Sequence, residues 1–84
     1  MNQMKQKSRS VVIYTTPTCE YCKMTKEYFR KNNVEYREVD VASDTTAAEE
    51  MVVKTGHLGV PQIFIGNDVV IGFDRMMLDK LLEI

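Results

Sequence analysis

Residues 15–23 read "TTPTCEYCK", and how these residues are read decides the fold. They hold both cysteines of the 84-residue chain, Cys19 and Cys22, two residues apart. Thiols at that spacing serve a zinc site, a structural disulfide or a redox centre. A zinc site needs four ligands, hence a second cysteine pair or two histidines, and His57 is the only histidine. A structural bridge suits a secreted scaffold. Here "MNQMKQKSRS" is polar and basic, and the "VVIY" behind it is too short for an apolar targeting core. The third reading requires the pair to follow a strand and open a helix in a βαβ unit.

The flanks supply that context. "SVVIYTT" (10–16) is a β-branched run closed by Pro17, the pattern of a buried strand. After the cysteines, Tyr21, Met24, Thr25, Tyr28 and Phe29 recur at helical spacing, with charged residues between them, up to the turn formers Asn32 and Asn33. "VEYREVDV" (34–41) alternates as a second strand. Ser43 or Asp44 can cap a helix lined by Ala47, Ala48, Met51, Val52 and Thr55 and closed by Gly56. "PQIFIG" (61–66) and "VVIG" (69–72) are strands three and four, with Asn67-Asp68 at the expected hairpin turn. Asp74 caps a last helix carrying Met77, Leu78, Leu81 and Leu82.

The order β-α-β-α-β-β-α describes one α/β domain over residues 10–84, a four-stranded mixed sheet flanked by helices. Strands joined through a helix are expected to run parallel with right-handed crossovers, and the final pair to form an antiparallel hairpin. Residues 1–9 carry Lys5, Lys7 and Arg9 without an acid, and are expected to form a flexible basic tail. A net charge of −1 excludes a general affinity for nucleic acid. No apolar run approaches the ~20 residues of a membrane span. The expectation is a monomeric cytoplasmic protein without a metal site.

A helix N-terminus stabilises an anion at Cys19 through its unsatisfied N–H groups and its dipole. Cys19 is therefore the nucleophile. Cys22, one helical turn later and more buried, is placed to resolve the mixed disulfide formed at Cys19.

"TTPTCEYCK" at a strand-to-helix junction, "GVPQIFIG" some forty residues on, and "IGFD" opening the last helix together resemble the glutaredoxin family. The resemblance runs from Val11 to Leu82. It implies a thioredoxin-like fold, cytosolic dithiol chemistry, no bound cofactor, and glutathione as co-substrate and electron donor. Protein disulfides or glutathione mixed disulfides are the implied substrates. It also implies a cis peptide bond before Pro61 and places Val60 and Pro61 beside Cys19, where the Val60 backbone would pair with an extended substrate. Tyr21, Gly72, Phe73 and Asp74 complete the implied substrate or glutathione site. Asp74 reads equally as a simple helix cap, and His57 as a surface loop residue or a glutathione contact.

Four positions depart from the family pattern. Glu20 stands where proline is usual between the cysteines, Thr16 where many members carry a base, and His57 where Arg or Gln is common. Gly72-Phe73-Asp74 replaces the usual Gly-Gly step and resembles NrdH-type redoxins, which take electrons from thioredoxin reductase and pass them to ribonucleotide reductase. Tyr21 argues for the glutaredoxins proper. A third reading, a glutathione-dependent iron–sulfur cluster carrier, fits poorly with a second active-site cysteine. Glu20 should disfavour the neighbouring thiolate and Lys23 favour it, so both are expected to tune the pKa or potential of Cys19.

Overall fold

The computed structural model describes residues 9–84. β-branched side chains fit a pleated, buried surface, and Val11–Thr15 forms β1 with all its residues but Val12 buried. Side chains alternate between the faces of a strand, so β1 feeds two separate cores. Ile13 packs with Phe29, Ile63, Leu78 and Leu82 on one face. Tyr14 packs with Ala47 and Met51 on the other. The helices divide accordingly: α1 (Glu20–Lys31) and α3 (Arg75–Leu82) cover the first face, and α2 (Thr45–Thr55) covers the second. Phe29 is fully buried, and a Phe→Ala change at such a site costs roughly 3–5 kcal/mol.

β2 (Arg37–Asp40), β3 (Gln62–Ile65) and β4 (Asp68–Ile71) complete a sheet of order β2-β1-β3-β4. β1 and β2 are parallel, as expected for strands joined through α1. β3 departs from that expectation and runs antiparallel to β1. The register shows why. Asp40 at the end of β2 faces Thr15, and Gln62 at the start of β3 faces Tyr14. The connection through α2 therefore leaves and re-enters at the same end of the sheet. Gly56, at φ 74, ends α2 and turns the chain into the returning loop that reaches Pro61.

Three local expectations are corrected. The hairpin turn is Gly66-Asn67, because Ile65 pairs with Asp68 and Gly66 takes φ 60. A glycine in the first of two turn positions matches the twist of the strands it joins. On α1 the buried stripe is Cys22, Thr25, Tyr28 and Phe29, while Tyr21 and Met24 are exposed. Thr25 tolerates burial because its hydroxyl donates to the Tyr21 carbonyl at 2.7 Å. Finally, β2 begins at Arg37; Val34 is buried ahead of it, its N–H donating to the Phe29 carbonyl at 2.9 Å.

Arg9, the last residue assigned to the basic tail, is fastened to the domain. Its guanidinium donates to the Ile65 carbonyl at 2.8 Å, the Leu81 carbonyl at 3.2 Å and the Asp68 carboxylate at 2.6 Å. It ties the β3–β4 hairpin to α3. The rest of that tail, residues 1–8, lies outside the described residues.

Candidate active site

β1 ends at Thr15 and α1 begins at Glu20, which leaves Thr16-Pro17-Thr18-Cys19 to cross the rim of the sheet. The Cys19 N–H donates to the Thr16 carbonyl at 3.3 Å, closing a tight turn. Cys19 then takes extended backbone angles as the N-cap of α1. Its sulfur accepts the Cys22 N–H at 3.0 Å, the place usually filled by a Ser, Thr or Asp oxygen. Cys19 and Cys22 are joined as a disulfide, with Cα atoms 5.2 Å apart. Cys22 is fully buried, whereas Cys19 keeps partial access to solvent.

The returning loop after α2 closes the site from the opposite side. The Val60–Pro61 peptide bond is cis, and the Val60 carbonyl oxygen lies 3.7 Å from Cys19 Sγ. Gly72 joins this group through its N–H, which donates to the Pro61 carbonyl at 2.8 Å. Val60 thus meets the redox pair, and Gly72 braces the loop that carries it. Buried Gln62 holds the loop, its amide donating to the His57 and Gly59 carbonyls at 2.9 Å each. His57 contributes backbone to that clamp and is itself exposed.

The remaining expected residues are less directly engaged. Tyr21 projects from the first turn of α1 and is exposed. Phe73 turns onto Tyr28 of α1, ring centroids 5.9 Å apart. Asp74 caps α3, its carboxylate accepting the Met77 N–H at 3.2 Å. Lys23 reaches Glu20 at 3.5 Å, both side chains well exposed. Among the described residues, no group of three or more His, Cys, Asp or Glu could hold a metal ion. None of their helices is long and apolar enough to cross a membrane.

The family model for glutaredoxins matches residues 11–70, from β1 through the cysteine pair and Pro61 into β4. The chain belongs to the glutaredoxin family. It is 42% identical over 73 residues to an uncharacterised glutaredoxin-like 8.6 kDa protein of the rubredoxin operon of Clostridium pasteurianum, covering 87% of this chain and 97% of that one. Identity to glutaredoxin 1 of Rickettsia prowazekii is 40% over 83 residues, with 88% and 87% covered. Among solved structures, the glutaredoxin-like NrdH-redoxin of Escherichia coli superposes with a TM-score of 0.80 at 25% identity, covering 86% of this chain and 93% of that one.

In this glutaredoxin domain, sequence reasoning overlooked one polar cluster near the pair. Lys26 Nζ donates to Glu38 Oε2 at 2.9 Å, and the buried Thr15 hydroxyl donates to the same oxygen at 2.8 Å. The Lys26 hydrogen bond, then the Thr15 one, hold the Glu38 carboxyl below the usual carboxylate range. The cluster fastens α1 to β1 and β2, one helical turn beyond Cys22. No local pattern announces it, because Glu38 and Lys26 read separately as surface charges. On the α3 side, burial and then the hydrogen bond to Asp79 push the Tyr28 phenol far above its ordinary value.

Proposed function

We propose that the protein is a dithiol oxidoreductase that reduces protein disulfides and glutathione mixed disulfides through Cys19 and Cys22. The observation that carries this reading is the Cys19 sulfur itself: it caps α1 at 3.0 Å from a backbone N–H and faces the Val60–Pro61 loop. A thiolate there replaces a capping carboxylate, so helix N–H groups and dipole favour its ionisation.

Reduction proceeds by two exchanges. The Cys19 thiolate attacks one sulfur of the substrate disulfide, and the other sulfur leaves as a thiolate that takes a proton from water. The Cys22 thiolate then attacks the Cys19 sulfur of the mixed disulfide. This forms the Cys19–Cys22 bridge and releases the second substrate thiol, so the substrate gains two electrons and the pair loses them. Two glutathione thiols restore the dithiol and leave as glutathione disulfide. Val60 and Pro61 present an extended backbone edge for the substrate chain beside Cys19. Tyr21, Gly72, Phe73 and Asp74 frame the glutathione side. Glu20 and Lys23 set the potential against each other. Such a cycle suits the cytoplasm, where glutathione is kept reduced.

A second reading concerns the electron donor alone. Thr16 supplies no positive charge for a glutathione carboxylate, Phe73 is spent on Tyr28, and the backbone resembles NrdH-redoxin. On that reading thioredoxin reductase reduces the pair, and ribonucleotide reductase receives its electrons. The deciding experiment reduces the oxidised protein with glutathione and glutathione reductase, or with thioredoxin reductase, and follows NADPH consumption. Turnover with glutathione is expected; turnover with thioredoxin reductase alone would reassign the donor.

A further inference from the structure

A shallow groove of about 720 Å³ runs along α1 beside the start of α3. Its apolar lining is Met24, Phe73 and the edge of the buried Tyr28, beside five cations, Lys23, Lys26, Arg30, Lys31 and Arg75, against one acid, Glu27. That is a concentration of positive charge on a chain whose net charge is −1. Three of the cations already have carboxylate partners: Lys23 with Glu20, Lys26 with Glu38, and Arg30 with Glu27. Lys31 and Arg75 are exposed and make no ion pair with any described residue. Met24, beside them, remains 48% exposed. The groove therefore offers apolar contact flanked by two exposed cations that hold no carboxylate in a close ion pair, although Lys31 lies near enough to Glu27 to favour its ionised form.

We infer that this groove docks an acidic segment, carrying at least one apolar side chain, of the protein whose disulfide Cys19 attacks. The inference rests on the disulfide chemistry proposed above and adds a class of protein substrate to it. Geometry supports the pairing of groove and cysteine. Cys19 caps the helix that carries the groove, so Met24 lies about 8 Å and Lys31 about 18 Å along the axis from it. An extended chain advances about 3.3 Å per residue. A segment held covalently at Cys19 would thus reach Lys31 with a residue about five positions from the reacting cysteine. Opposite charge at that distance steers the encounter and fixes the direction in which the substrate lies.

The test compares two disulfide-containing peptides of equal length, with either glutamates or lysines about five residues from the cysteine and a leucine between. Hydroxyethyl disulfide, too small to reach the groove, reads the chemistry alone. The wild type is expected to favour the acidic peptide roughly tenfold in kcat/KM at low salt, with the preference shrinking as salt rises. The double variant Lys31→Glu/Arg75→Glu is expected to lose the preference while reducing hydroxyethyl disulfide at the wild-type rate. Equal turnover of the two peptides by the wild type, or a preference that survives in the variant, would overturn the inference.

Amide chemical shifts measured with the acidic peptide, its cysteine replaced by serine, test docking without turnover. Perturbations are expected at Met24, Lys31, Phe73 and Arg75; perturbations confined to Tyr21 and Pro61 would contradict it. A single-stranded oligonucleotide that perturbs the same amides with equal affinity would also overturn the inference, in favour of unspecific anion binding. Failure to reduce hydroxyethyl disulfide would count against the proposed chemistry, and the shift map would still decide the groove.

Discussion

Three helices of this domain begin alike and differ in one atom. At α2 and α3 the cap is a carboxylate: Asp44 accepts the Ala47 N–H at 3.0 Å, and Asp74 accepts the Met77 N–H at 3.2 Å. At α1 the same position, three residues before the same kind of N–H, is filled by the Cys19 sulfur. A side-chain carboxyl of ordinary acidity is ionised at neutral pH. A thiol is not, so here the helix terminus acts on the acid instead of merely receiving it. On the proposed chemistry, one structural device serves stability at two helices and reactivity at the third.

The strongest way to break this comparison is Cys19→Ser. Serine is as good an N-cap as aspartate, so thermal stability of the reduced protein should hardly change. Disulfide reduction should fall by on the order of a thousandfold or more, because a hydroxyl does not ionise at neutral pH. Retention of activity would show that the sulfur at the cap is not the nucleophile. The converse change is Asp44→Ala, which removes a cap and leaves the redox pair alone. It should cost about 1 kcal/mol in denaturant unfolding without altering turnover.

Glu38→Gln probes the strut that holds α1 to the sheet. Its carboxylate is partly exposed, so the loss should be under about 1 kcal/mol at neutral pH. The folded carboxyl titrates below its ordinary 4.5, so its contribution is present above that value and lost as pH falls through the lowered one. Wild-type and variant stabilities should therefore converge in acid; a gap that widens there would contradict the pairing. The smallest effect belongs to Glu20→Gln. Lys23 lies 3.5 Å from Glu20, and both side chains are exposed, so solvent screens the influence of either on the sulfur. Removing the acid should favour the Cys19 thiolate and so raise the reduction potential slightly, measured against a glutathione redox buffer. An unchanged or lower potential would contradict a tuning role.

The α1 cap is legible in the sequence because its signals are local. A β-branched run, a proline, two cysteines and a helical repeat all lie between Ser10 and Asn33. The caps at Asp44 and Asp74 and the stop at Gly56 are legible for the same reason, since each acts on residues three or four positions away. Long-range placement is not. Nothing in "PQIFIG" tells whether that strand runs with or against β1, because strand direction depends on where the returning loop re-enters the sheet. The exposure of Tyr21 and Met24 is likewise hidden, since period alone does not say which side of a mixed stripe meets the sheet. The Lys26–Glu38–Thr15 cluster and the Arg9 clasp join residues up to 72 positions apart. Pro61 is legible only through the family motif, and the fold sets its neighbour Val60 beside Cys19.

The most direct test of the claim that a helix cap activates Cys19 is the thiolate pKa of that residue. It is measured in reduced Cys22→Ser protein from the pH dependence of thiolate absorbance and of the alkylation rate. The account predicts a value clearly below the ~8.5 of an ordinary cysteine. A value at or above that reference would contradict it.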